Sequence, residues 1–133
     1  MQSSKDNIQF SRLNVHLGVR YNFLFSPFDP MILYNVLKDL SYKLAPEIEQ
    51  NKHLDVDGVI AQKGSLMFSV NKQVNVIALD SNKNEDIVTE LTKIESSLSQ
   101  ELSIDFSSKI LFSEAIIHYT ARTGKNPLLV FSE

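Results

Sequence analysis

The fold is decided by the stretch Leu13-Asn14-Val15-His16-Leu17-Gly18-Val19-Arg20-Tyr21-Asn22-Phe23-Leu24-Phe25. Its odd positions, Leu13, Val15, Leu17, Val19, Tyr21, Phe23 and Phe25, are all apolar, whereas Asn14, His16, Gly18, Arg20, Asn22 and Leu24 occupy the even ones. Successive side chains of a strand point to opposite faces, so the stretch reads as a long strand with one apolar and one largely polar side. The apolar side requires a covering layer of helices. The other side presents an imidazole and a guanidinium.

Working outward, residues 1–7 are polar and read as a flexible N-terminus, and the strand is expected to begin near Ile8 or Arg12. Ser26-Pro27-Phe28-Asp29-Pro30 stops it, because proline donates nothing to a ladder. Asp29 and Pro30 also open a helix, as N-cap and first helical residue. Ile32, Leu33, Val36, Leu37, Leu40 and Leu44 then recur at helical spacing, up to Pro46. Glu47 to Asp57 reads as a polar loop. Val59-Ile60-Ala61 reads as a short strand, and Leu66, Phe68 and Val70 alternate with Met67 and Ser69. With a three-residue loop Asn71-Lys72-Gln73, Val70 faces Val74, Phe68 faces Val76 and Leu66 faces Ala78, all on one side. Ile87, Leu91, Ile94, Leu98 and Leu102 predict a second helix. Lys109 to Arg122 predicts the last long strand, and Leu128-Leu129-Val130-Phe131 is a final apolar run.

This order predicts an α+β two-layer sandwich: a largely antiparallel sheet of about five strands with two helices on one face, β-α-β-β-β-α-β. In a ferredoxin-like arrangement the first and last strands lie side by side in the middle, which suits the two longest and most apolar strands here. One domain is expected over 8–122, with 123–133 as a tail that adds a strand or contacts a partner.

Composition narrows the function classes. The chain has 133 residues, 43% hydrophobic and 22% charged, with a formal net charge of -3. These are ordinary values for one globular domain, and the acidic balance speaks against non-specific coating of nucleic acid. There is no cysteine, which excludes disulfides, thiolate catalysis and cysteine-based zinc sites. Residues 1–7 lack the apolar core of a signal peptide, and no apolar run approaches the ~20 residues of a membrane span. The expectation is a soluble, cytoplasmic protein with no membrane partner and no cofactor.

The candidate site is the polar face of the sheet. The three arginines, Arg12, Arg20 and Arg122, all lie at even positions of the two long strands, as do His16 and His118. If those strands pair, His16, Arg20, Glu114, His118 and Arg122 share one surface. Arginine reads carboxylate or phosphate with a planar fork, so that surface reads either as an anion or polynucleotide site or as a solvated face with cross-strand ion pairs. Leu24, Met67, Ile77, Ile110, Phe112 and Ile116 are expected on the same face and make it too apolar for open water. A homodimer contact or a protein partner is therefore expected there. No His-x-His or His-x-x-x-His spacing supports a metal site, no nucleophile elbow occurs, and Thr123-Gly124-Lys125 lacks the upstream glycine of a phosphate loop.

In element order the chain resembles one half of a TATA-binding-protein-like domain. The local likeness is Leu66-Met67-Phe68-Ser69-Val70-Asn71-Lys72-Gln73-Val74, which is similar to the strand-turn-strand segment that carries a DNA-wedging phenylalanine, with Phe68 at the matching position. No second phenylalanine occurs from Leu54 to Ile60, and the hairpin register points Phe68 to the core. The resemblance implies the fold and carries no function over. The functional expectation is a non-enzymatic interaction module that dimerises or docks a protein partner through the open sheet face. The alternative is nucleic-acid or anion binding on the Arg/His face.

Overall fold

The computed structural model describes the backbone of residues 9–83, 86–122 and 128–132, and the side chains of 14–83 and 86–117. The expected flexible segment 1–7 lies outside the described residues. The chain is an α+β two-layer sandwich. Strand β1 (Gln9–Tyr21) leads to helix α1 (Pro30–Asp39), a two-residue strand β2 (Lys43–Leu44) and a short helix α2 (Pro46–Gln50). Strands β3 (Gly58–Lys63), β4 (Leu66–Asn71) and β5 (Val76–Ser81) follow. Helix α3 (Ile87–Leu102), a single 3-10 turn (Phe106–Lys109), β6 (Ile110–Arg122) and β7 (Leu128–Ser132) complete the order. The sheet has seven strands in the order β2-β3-β4-β5-β1-β6-β7, all paired antiparallel. The two long strands are neighbours, as their length and pattern predict. No described helix is long and apolar enough to cross a membrane.

Helix α1 starts where capping chemistry places it: the Asp29 carboxylate accepts from Ile32 N–H, and Pro30 occupies the first turn. It ends earlier than its apolar spacing suggests. Ser41 takes a left-handed φ of 73°, Tyr42 N–H returns to Leu37 O, and Leu44 enters an edge strand. The segment expected to be a loop after Pro46 contains α2, which buries Ile48. Beneath the helices lie Leu33, Leu37, Phe68, Ile77, Leu79, Ile94 and Leu98, all fully buried. Phe106 closes one end of this core, with Tyr21 and Phe23 edge-on at 5.2 Å between ring centroids. Edge-to-face geometry suits the aromatic quadrupole and adds about 0.5–1.5 kcal/mol per pair beyond burial.

Two registers depart from expectation and both move candidate residues. The β4–β5 connection has four residues, Lys72–Asn75, because Asn71 pairs with Val76. The return strand is therefore flipped: Val70 faces Ile77, Phe68 faces Leu79 and Leu66 faces Ser81. Ile77 is completely buried on the helix side and cannot belong to an open-face contact. Val76 and Ala78 take its place on the open face. The second departure is at the same end of the sheet, where β1 stops at Tyr21. Tyr21 N–H donates to Asn75 O, and the Asn75 amide donates to Phe23 O, which turns the chain out of the sheet. Leu24 thus follows the strand in a bend and is 90% exposed; it is not a sheet-face residue.

Candidate interaction surface on the open sheet face

Directly paired residues share a face, so the register lays out the open side in three cross-strand rows. One row is Met67, Asp80, His16 and Ile116; the next is Ser69, Ala78, Gly18 and Glu114; the third is Asn71, Val76, Arg20 and Phe112. The middle row is built from small residues on three of its four strands. It forms a trough across the strands, flanked by the longer side chains on either side.

His16 fills part of that trough. Its Nδ1–H donates to Asp80 Oδ1 at 2.7 Å, which leaves Nε2 over Gly18, 3.0 Å from where a Cβ would stand. A larger residue at position 18 would displace the imidazole. The His16 pKa is raised above its ordinary value by the hydrogen bond to Asp80; burial opposes this, and the charges of Asp80 and Glu114 add to it. Asp80 was not legible as a site residue, because the three-residue loop would have set the parity of its strand against it.

Arg20 is half-buried, and its Nε has neither solvent contact nor a hydrogen-bond partner. Its guanidinium forms no ion pair with any described residue, and neither does Glu114, which is exposed on the adjacent strand. The expected site is therefore brought together in part. His16, Arg20 and Glu114 share one face. The backbones of His118 and Arg122 continue the same ladder opposite Asn14 and Gln9, and their side chains lie outside the described residues, as does that of Arg12.

Among the expected contact residues, Met67 is 40% exposed and Phe112 52%, while Ile116 is half-buried. The surrounding strand is unusual. A register shift between Arg20 and Tyr21 leaves Leu111 as the extra residue of a bulge. Ile110 consequently points with Tyr21 to the helix side and Phe112 with Arg20 to the open side. Two helices of ~10 Å width cover about four strands at ~4.8 Å spacing; a seven-stranded sheet extends beyond them. No described side chain of β6 from Ile110 to Ile117 is buried. Leu24 and Phe25 sit at the same end, because Asn22 N–H donates to Lys109 O. Of the nine exposed large apolar residues among those described, five (Leu24, Phe25, Ile110, Leu111 and Phe112) gather at this end.

The remaining polar networks brace the fold. Lys72 binds Asp55 at 2.7 Å and Val56 O at 2.8 Å, holding the loop before β3. Glu90 accepts from Tyr42 at 3.0 Å and Lys63 at 3.2 Å, tying α3 to the far edge of the sheet. No protein-family model matches this chain, and comparison with curated proteins and with solved structures found no match.

Proposed function

We propose that this chain is a non-enzymatic interaction module that docks a protein partner through the open face of its sheet, centred on Arg20, Phe112 and Ile116. One observation carries the reading: Ile110, Leu111, Phe112, Ile116 and Ile117 are large and apolar, yet no described side chain of β6 from Ile110 to Ile117 is buried. Large apolar side chains gathered at one place are normally covered by a further layer or a partner. A contiguous exposed apolar surface rimmed by charge is the mark of a protein contact. The His16–Asp80 pair and Arg20 supply polar groups at its margin.

The test is affinity purification of the tagged full chain from its own cells. Phe112→Asp is compared with Val88→Asp, a control on α3 that is 60% exposed in the wild type. A stoichiometric partner, another protein or the untagged chain itself, lost in Phe112→Asp and kept in Val88→Asp supports the reading. Equal retention in both variants, or no stoichiometric partner, overturns it.

A second reading, anion or nucleic-acid binding on the same face, is favoured by the guanidinium of Arg20, which has no counter-ion among the described residues. It predicts binding that weakens steeply with salt and is lost in the double variant Arg20→Ala, Arg122→Ala. Salt-insensitive binding removes it.

A further inference from the structure

Arg20 and Glu114 are opposite charges on adjacent strands of one face, one row apart, because Arg20 pairs with Phe112 and Gly18 with Glu114. Cross-strand diagonal neighbours lie about 7–8 Å apart, within reach of these two long side chains, yet they do not pair. The Arg20 guanidinium has no ion-pair partner among the described residues, and the patch itself carries a matching carboxylate. A surface with a cation and an anion that form no ion pair among the described residues, and an apolar residue beside them, is self-complementary. Self-complementarity is what an isologous interface requires, since residue i meets j while j meets i.

We infer that the partner on this face is a second copy of the chain, held by reciprocal Arg20–Glu114 pairs across a twofold axis; the inference rests on the interaction reading above. The geometry constrains the arrangement. Arg20, Phe112, Glu114 and Gly18 form the corners of a near-rectangle, about 5 Å across the strands and about 7 Å along them. An axis that exchanges Arg20 with Glu114 crosses their diagonal at its midpoint. It therefore runs close to the other diagonal, from Phe112 to Gly18. Phe112 then meets its own counterpart near the axis, and the imidazole that covers Gly18 lies at the other end of that diagonal. The four strands β4, β5, β1 and β6 offer about 19 Å by about 20 Å, or ~400 Å² in projection per copy. That is below the ~800 Å² per partner of a standard stable interface, which places the self-association in the weak, concentration-dependent range.

The experiment is sedimentation equilibrium of the full chain from about 1 µM to about 1 mM, a range that brackets weak interfaces. Four samples are compared: wild type, Arg20→Glu, Glu114→Arg, and an equimolar mixture of the two variants. Each variant alone juxtaposes like charges twice in a homodimer, and the mixture restores two attractive pairs. The expected result is a wild-type dimer, at least tenfold weaker association of either variant, and recovery of dimer in the mixture. An intramolecular role for the pair cannot produce that recovery. A wild-type chain that stays monomeric throughout, variants that associate like the wild type, or a mixture no better than its components would each overturn the inference. If Arg20→Glu does not fold, Glu114→Arg and Phe112→Asp must each weaken association, and retention in either refutes the proposal. A monomeric wild type that still captures a different protein in a Phe112-dependent way defeats the second copy and leaves the interaction reading standing; loss of both defeats both.

Discussion

Ile77→Ala is the substitution that tests the flipped hairpin on which the whole open face depends. Ile77 is completely buried on the helix side, whereas its neighbour Val76 is half-buried on the open side. Truncation at position 77 removes three buried carbons, about 2.4 kcal/mol of transfer free energy at ~0.8 kcal/mol each. The cavity left behind brings the cost to about 3–4 kcal/mol, within the range for Ile→Ala in cores. An unfolding entropy near ~2.1 cal/mol/K per residue amounts to about 280 cal/mol/K for this length, so Tm should fall by about 11–14 °C. Val76→Ala removes two partly solvated carbons and should cost less than ~1 kcal/mol, or about 3 °C. Both changes weaken strand propensity similarly, so the difference between them reports burial. Calorimetry or urea unfolding of the two variants reads it directly. A larger loss for Val76→Ala than for Ile77→Ala would restore the three-residue loop and dismantle the three rows.

Further outcomes follow from the polar margin and the helix ends. Because the His16 pKa is raised in the folded chain, its stabilising contribution is fully present below the unfolded value near pH 6.5. It is lost as pH rises through the folded value. An NMR titration should find His16 above that value in the wild type and lower in Asp80→Asn, with the pH dependence of the urea midpoint flattened; an unchanged titration in Asp80→Asn contradicts the pairing. Ser103 ends α3 at φ 55° and ψ 40°, a conformation that costs a side chain more than a glycine. Ser103→Gly should therefore stabilise the fold by a few tenths to ~1 kcal/mol, a Tm increase of up to about 4 °C; a decrease in Tm would contradict that conformation.

The parts of the fold that were legible in the sequence rest on local chemistry. The alternation from Leu13 to Tyr21 is a period that only a half-buried strand satisfies. Asp29 and Pro30 announce a helix start whatever surrounds them, and the spacing of Ile87, Leu91, Ile94 and Leu98 gives one helical face. The misread register has an equally specific cause. Val74 continues the apolar alternation of β5 although it belongs to the turn, and the left-handed φ of 57° falls on Asn75. Asparagine tolerates that conformation better than most residues, so Asn75 was the available signal for a four-residue loop. The four-residue loop brings Asp80 beside His16 and moves Ile77 from the surface into the core.

The bulge at Leu111 left no such trace. Because Ile110-Leu111-Phe112 is apolar at both parities, shifting one residue across the sheet there alters nothing in the local pattern. Leu24 was misplaced for a related reason: Phe23 and Phe25 extend the alternation past the point where Asn75 turns the chain away. Within the candidate site, the proximity of His16, Arg20 and Glu114 followed from pairing the two long strands. The unmet state of Arg20 did not, since it depends on where each side chain lies across the trough.

The absence of cysteine from the chain makes the most direct measurement simple. Phe112→Cys and Val88→Cys each carry a single thiol, the second at the position that is more exposed in the wild type. A disulfide forms only where two Cα atoms come within about 7 Å. Under mild oxidation at a concentration where the wild type self-associates, Phe112→Cys should form a covalent dimer much faster than Val88→Cys. Equal rates, or faster dimerisation through position 88, would contradict the claim that the open sheet face is where two copies of this chain meet.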